Sequence, residues 1–291
     1  MNDESILSPA TRLRSLAPIS VTGADAKSYL QGQLSFDLER LTPDYVELAA
    51  VSSAQGRVQA VVWLVQRTDA IVLLVPAEQL DTLVARLRKF ILRAKVKIEP
   101  AATLSLGILS DDSAPVPARG HLESSGVSLI HWPVAASRGL IIAPALATHA
   151  MPEDPVREAR WRLDTIQAGL PQVFPATHET FVAQMLNLDL LQGISFDKGC
   201  YTGQEIIARM HFRGQVKRRM LRFAYPGPPP APGTRVVCNG DHAGDVVDAA
   251  ATENGSELLA VISLAQRELP LAIDGNAAAM LMPLSLPYEV S

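Results

Sequence analysis

Two hydrophobic periods divide this chain, and the places where one gives way to the other mark its expected elements. Apolar and polar residues alternate through Ile19, Ser20, Val21 and Thr22, which predicts a short strand. Beyond Gly23, residues 24–33 set Ala26, Tyr29 and Leu30 on one side of a helix. Asp37 follows at a position usual for a turn or cap aspartate. Residues 45–53 and 57–67 read as two strands joined at Ala54-Gln55-Gly56, a hairpin signal. A third strand is expected over 70–76, then a helix over 77–92 with its apolar stripe at Leu80, Leu83, Val84, Leu87, Phe90 and Ile91. Residues 95–99 alternate again. Strand, strand, helix, strand in that order predicts an α+β layer of ferredoxin-like type.

Residues 104–109, 127–132 and 140–143 add three short strands, the first two separated by the proline and glycine punctuation of 114–120. A helix is expected over 155–168, with Pro155 suited to its first turn and Gly169 to its end. Another should begin near Gly203, where Thr202 and Glu205 have the spacing of a capping box, and run through Ile206, Ile207, Ala208 and Met210. After a strand over 216–225, the proline-rich stretch 226–233 is a stiff connection. Short strands at 234–238, 242–248, 258–263 and 277–282, with turns at Asn239-Gly240 and Asn254-Gly255, predict a small antiparallel barrel.

Composition narrows the class. The 291 residues are 48% hydrophobic and 19% charged, the balance of a globular chain with two or three domains. Residues 1–8 lack the positive start and apolar core of a signal peptide, and no apolar run reaches the roughly 20 residues of a membrane helix; prolines interrupt the nearest, 139–152 and 276–288. Two cysteines, Cys200 and Cys238, make no disulfide framework, so a reducing cytoplasm is expected. A formal charge of −4 argues against wholesale coating of nucleic acid. Yet 206–240 holds no acid while carrying Arg209, Arg213, Lys217, Arg218, Arg219, Arg222 and Arg235, and 82–98 is likewise free of acids. Each window is either a solvated face or a docking surface for a polyanion such as RNA or for a ligand bearing carboxylates.

The six histidines have no zinc spacing, two separated cysteines cannot alone ligate an iron–sulfur cluster, and there is no Walker loop or dinucleotide fingerprint. The candidate chemistry gathers at Lys198-Gly199-Cys200-Tyr201-Thr202-Gly203-Gln204-Glu205. There Cys200 precedes an expected helix N-terminus and follows a lysine by two residues, both of which favour the thiolate. Gly199 and Gly203 would let a ligand approach the backbone. The alternative is a cysteine that serves only as a small packing residue.

The run K-G-C-Y-T-G-Q-E-I-I-A-R, followed by F-R-G-Q-V-K-R, closely resembles the signature of the YgfZ family of folate-binding proteins, related in fold to the glycine cleavage T-protein, an aminomethyltransferase. V-T-G-A-D-A-K-S-Y-L-Q-G-Q-L-S-F-D at 21–37 and W-R-L-D-T-I-Q-A-G-L-P at 161–171 match the same family. The resemblance implies ferredoxin-like modules of the aminomethyltransferase folate-binding type plus the C-terminal barrel. Their expected division is 1–45 with 146–215, then 46–145, then 216–291. It further implies tetrahydrofolate or a derivative as cofactor, iron–sulfur client proteins including tRNA-modifying enzymes as partners, and an indirect connection to tRNA rather than direct contact.

Cys200 and Lys198 are the expected catalytic groups. A flat pterin needs an aromatic face and hydrogen-bonding partners, and its tail needs cations, so the expected folate contacts, in a pocket between modules, are Trp161, Asp37, Gln33 and Lys198 with Gly199, Gly203, Gln204 and Glu205. Trp161 stands among arginines mid-helix and reads equally as a core anchor. Two other functions stay open: a folate-dependent one-carbon transferase, and a thiol-dependent adaptor without folate. The T-protein has a carboxylate in the hairpin where this chain reads Gln55-Gly56-Arg57-Val58-Gln59-Ala60, which weighs against aminomethyl transfer.

Overall fold

The structure is a computed structural model that describes residues 10–109, 121–124, 126–131, 139–145 and 151–290. Residues 1–8, the punctuation at 114–120, Trp132 and His149 lie outside the described residues. The chain divides into two compact units, one of residues 1–49 and 62–158, the other of 50–61 and 159–291.

The first unit is built on two five-stranded sheets. In one, β2 (Leu16–Thr22), β3 (Glu47–Ser52), β4 (Val58–Gln66), β5 (Ile71–Pro76) and β6 (Lys97–Pro100) take the order β3-β4-β5-β2-β6. The tip of the β3–β4 hairpin, residues 50–61, is grouped with the second unit. Strand β5 is buried at every position, as a central strand covered on both faces should be. Helix α1 (Ala26–Gln31) buries the expected Ala26, Tyr29 and Leu30, and the Tyr29 hydroxyl donates to the Leu87 carbonyl.

Helix α2 (Leu80–Arg88) buries Leu83, Val84 and Leu87, but it stops short of the expected end at 92. The apolar pattern runs on, yet the chain has to reverse before Lys97 pairs with Thr22, and the Arg88 guanidinium holds the turn by donating to the Ile98 carbonyl at 2.7 Å. Phe90 is left 44% exposed and shielded on one face by Arg86, 4.1 Å from its centroid.

The second sheet orders β1 (Thr11–Leu13), β7 (Leu104–Leu109), β10 (Gly139–Pro144), β9 (Val127–His131) and β8 (His121–Ser124) as β1-β7-β10-β9-β8. Strands β1 and β8 have no counterpart in the sequence pattern, because three or four residues are too few to display a period. Leu109, Val127, Leu129, Ile141 and Met151 form its core.

In the second unit, α3 (Pro155–Gln167, of which 159–167 belong here) and α4 (Gln204–Arg213) accompany a seven-stranded antiparallel sheet. Its strands are β11 (Arg218–Tyr225), β12 (Arg235–Cys238), β13 (Asp241–Thr252), β14 (Gly255–Ser263), β15 (Leu271–Ile273), β16 (Asn276–Met280) and β17 (Met282–Leu284), ordered β16-β15-β12-β13-β14-β11-β17. The two edges are consecutive in sequence, separated only by Leu281, so the sheet curls into a nearly closed barrel around Phe223, Val236, Val246, Leu258 and Ile262. Asn239 and Gly240 both take positive φ, 51° and 89°, as a two-residue hairpin turn requires. At a bulge in β13 the buried Asp248 carboxylate accepts from the Ala249 N–H at 2.8 Å and from Arg162 of α3. No helix among the described residues is long and apolar enough to cross a membrane.

Gly244 is the most closely packed of the barrel's described glycines, since a Cβ there would sit 2.0 Å from the Val261 carbonyl oxygen. Gly244→Ala should destabilise the protein by about 1–3 kcal/mol through overpacking, read as a lower denaturant midpoint with an unchanged m-value.

Candidate functional site

The cysteine-bearing loop is held by a backbone-to-backbone fit that only glycine permits. Gly203 has φ +84°, and a Cβ on it would lie 2.6 Å from the Ser53 carbonyl oxygen and 3.2 Å from the Gly56 Cα. From the other side, Gly56 has φ +70° and a Cβ there would meet the Ile206 Cβ at 2.7 Å. The tip of the β3–β4 hairpin and the first turn of α4 thus press together, with Ser52 and Ile206 the nearest side chains to the two glycines. The tip is itself ordered: the Ser53 N–H donates to the Arg57 carbonyl at 2.8 Å and the Gly56 N–H to the Ser53 carbonyl at 2.9 Å. The Arg57 guanidinium donates to the Thr180 carbonyl at 2.7 Å, and Val58 exchanges bonds with Phe181 and Glu179.

This arrangement corrects the expected capping box. Gly203 in the left-handed conformation, and not Thr202, caps α4, and no side chain bonds to the helix start. The close approach to Ser53 demands positive φ, which a threonine cap with extended backbone could not supply. Cys200 therefore lies three residues before the cap, with its residue exposed to solvent, while Cys238 is buried in β12.

Around the thiol, Lys198 is only 9% exposed and its ammonium stands 5.1 Å from the centroid of the Tyr201 ring, within cation–π reach. Tyr201 is buried, and burial pushes its phenol up to about 12. A Cβ on Gly199 would meet nothing within 4 Å, so the backbone beside Cys200 is open. Gln204 begins α4, its N–H donating to the Tyr201 carbonyl at 3.1 Å, and Glu205 is exposed in the first helical turn.

The remaining candidates fall in two places. Trp161, on α3 in the second unit, is 2% exposed, so its ring is closed to solvent. Asp37 and Gln33 belong to the first unit. Asp37 caps a short 3-10 turn, accepting from the Glu39 N–H at 3.2 Å and from the Gln31 side-chain amide at 2.7 Å. The Gln33 side-chain oxygen accepts from Arg86 at 3.0 Å.

The basic window separates into structural and outward-facing cations. Arg219 is 5% exposed and grips the Asp189 carboxylate with two nitrogens, at 2.6 and 2.9 Å, while also donating to the Gln184 carbonyl. Arg222 pairs with Glu257 at 2.7 Å. Neither forms part of a docking face, because each is spent on an acid far away in sequence. Arg209, Arg213 and Lys217 are exposed.

Sequence reasoning missed two features. One is the hairpin tip as the support of the signature loop, which glycine at both ends of the contact could have flagged. The other is Glu179, a carboxylate with positive φ of 58° that accepts from the Gln59 amide at 2.7 Å and so reaches the hairpin from another segment.

With this geometry in view, relatives are informative. The tRNA-modifying protein YgfZ of Yersinia pestis (strain Pestoides F) is 30% identical over 225 residues, covering 72% of this chain and 68% of that protein. The chain belongs to the YgfZ family. The YgfZ protein of Colwellia psychrerythraea (strain 34H / ATCC BAA-681) is 29% identical over 299 residues, 96% of this chain and 92% of its own. Among solved structures, the glycine cleavage system aminomethyltransferase T from Bartonella henselae superposes with a TM-score of 0.74 at 13% identity, over 98% of this chain and 88% of that one. The chain thus has the aminomethyltransferase-like fold, mixed α+β with the barrel-like sheet at its C-terminal end. No protein-family model matches it.

Gly203→Ala forces a Cβ into the Ser53 carbonyl from a left-handed backbone and should cost about 1–3 kcal/mol of stability, whereas Gly199→Ala, with open space, should stay within about 0.5 kcal/mol. Thermal or chemical melts of the two variants decide this; equal losses would refute the contact. Tyr201 and Tyr288 are both pushed up to about 12 by burial. Since the unfolded phenols ionise near pH 10, the stability linked to the buried neutral rings should be complete below about pH 10 and decline as pH rises toward 12. An ultraviolet titration should show three late-ionising tyrosines, these two and Tyr29, whose phenol burial also raises.

Proposed function

We propose that this member of the YgfZ family is a cytoplasmic, tetrahydrofolate-binding accessory factor that supports iron–sulfur cluster assembly or repair in client proteins, and through them tRNA modification. The observation that carries this reading is the exposed Cys200 beside an open glycine backbone, set on a loop clamped by Gly56 and Gly203. A thiol serving only to fill space belongs inside, as Cys238 is; a thiol presented on a rigid, glycine-opened loop is suited to meet a partner. The tRNA-modifying name of its relatives and the aminomethyltransferase fold support the same reading.

The residues present are chemically suited to a reduced folate. Asp37 and Gln33 are half-buried and held by neighbouring side chains, as groups that recognise a pterin edge by hydrogen bonds should be. Lys198 supplies a cation for the folate tail, with Gly199, Gly203, Gln204 and Glu205 around it, and Trp161 acts as a buried support rather than an open stacking face. Bound folate would supply one-carbon carrying capacity. The chain's own part is to bind and orient it and to present the Cys200 sulfur to a partner.

Titration with tetrahydrofolate should saturate by tryptophan fluorescence and release heat, and Asp37→Asn should weaken it roughly tenfold, about 1.4 kcal/mol. No heat and no signal would eliminate the folate assignment. A thiol reagent should modify Cys200 in the native protein and spare Cys238. Cys200→Ala should lose function in cells lacking the protein while keeping the fold and folate binding; full complementation would remove the thiol from the mechanism.

A further inference from the structure

Helix α4 carries on its outer side a feature that neither the thiol nor the folate reading uses. Phe212 is 68% exposed. The His211 ring stacks on Phe196 with centroids 3.8 Å apart at 15°, and Phe212 meets the pair edge-on, at 4.7 Å from His211 and 6.1 Å from Phe196. His211 is also exposed and Phe196 half-buried, so three rings gather where water reaches them. Beside them, Arg209 and Arg213, one helical turn apart, line a shallow hollow of about 720 Å³ with Phe212, Ala208 and Glu205. A separate hollow of about 590 Å³ is lined by Met210 and His211 and reaches Lys217 and the Ser263 to Ala265 corner.

The charge here is opposite to that of the whole chain. Arg209, Arg213, Lys217 and the half-exposed Arg218 face outward, against Glu205 and Asp197 as the exposed acids of residues 196–218. Asp189, which lines the second hollow, is neutralised by the two-nitrogen grip of Arg219.

We propose that this face of α4 binds an unpaired stretch of RNA, its bases stacking on Phe212 and on the Phe196–His211 pair and its phosphates lying on Arg209, Arg213 and Lys217. Exposed rings interleaved with cations are the combination that sequence-tolerant single-strand binding uses, because every base has a face to stack and every nucleotide a phosphate to neutralise. An acidic peptide would use the cations and leave the rings uncovered. The inference stands on α4 and the flanking Phe196 and Lys217, independently of the folate and thiol assignments, although it would give a factor linked to tRNA modification a direct hold on RNA.

The test uses the full chain and a fluorescein-labelled 12-nucleotide single-stranded RNA of mixed sequence, read by anisotropy between 50 and 200 mM salt. Binding should weaken steeply with salt. Phe212→Ala should reduce affinity roughly tenfold with the salt slope unchanged, whereas Arg209→Gln with Arg213→Gln should lower the slope of log affinity against log salt by about 1.4, two phosphates' worth for a single strand. Phe212→Leu, which keeps apolar bulk and removes the ring, should lose affinity as the alanine does, so a folding defect in one variant does not decide the matter. Folate titration and Cys200 labelling should be unaltered in all of them. The proposal is overturned if the RNA does not bind, if a duplex of equal length binds as well, if polyglutamate competes equally charge for charge, or if both Phe212 variants bind as the parent does.

Discussion

The packing of two glycines, Gly56 in a hairpin turn and Gly203 ahead of a helix, is the constraint on which the arrangement of the signature loop depends. Both have positive φ, and each would place a Cβ inside its neighbour. Once that approach is made, the hairpin tip becomes the floor of the loop, Gln204 starts α4 directly, and the span from Lys198 to Tyr201 has a fixed base. The exposure of Cys200 is then not a sign of slack. Its loop is anchored by backbone atoms at one end and by the buried Lys198–Tyr201 pair in its middle, which leaves the sulfur as the part that faces outward.

Long-range ion pairs sort the basic residues into two roles that charge counting alone would merge. Arg219 reaches back to Asp189, Arg222 crosses to Glu257 on the paired strand, and Arg162 of α3 enters the barrel bulge at Asp248. These groups are mostly buried, and removing one partner would strand the other's charge away from water, so they hold structure together. What remains after this subtraction is a small set of outward cations on and after α4. The functional content of the acid-free run is therefore concentrated in fewer residues than the run contains.

Much of the architecture was legible because it rests on local period and turn chemistry. The hairpin at Ala54-Gln55-Gly56, helix α3 between Pro155 and Gly169, the Asn239-Gly240 turn and the longer strands of the barrel declared themselves through alternation or obligatory positive φ. Three- and four-residue strands such as β1, β8 and β15 did not, because their identity comes from the neighbour they pair with. Helix α2 ended early for a reason outside its own sequence, the need to return for β6. At the site, the motif's Cys200 is exposed and Cys238 is buried. The motif misread the cap, because Thr202 and Glu205 carry the local pattern of a capping box while the approach of a distant hairpin imposes a different one. Glu179 was invisible for the same reason: its nearness to Gln59 is a property of the fold, spread over 120 positions.

The barrel's seam has a consequence for how the protein coexists with copies of itself. Its longest strands, β13 with 12 residues and β14 with 9, are interior to the sheet, while the borders are β16 and β17 with 5 and 3, joined through a single residue. A row of unpaired peptide groups is a template on which another chain can add a strand, and the hazard grows with its length and flatness. Here the peptide groups with the greatest capacity to nucleate such growth are already paired on both sides, and the short bordering strands curl toward one another. The most β-rich part of the molecule is in this way the part least able to seed aggregation, for as long as its last few strands stay in place.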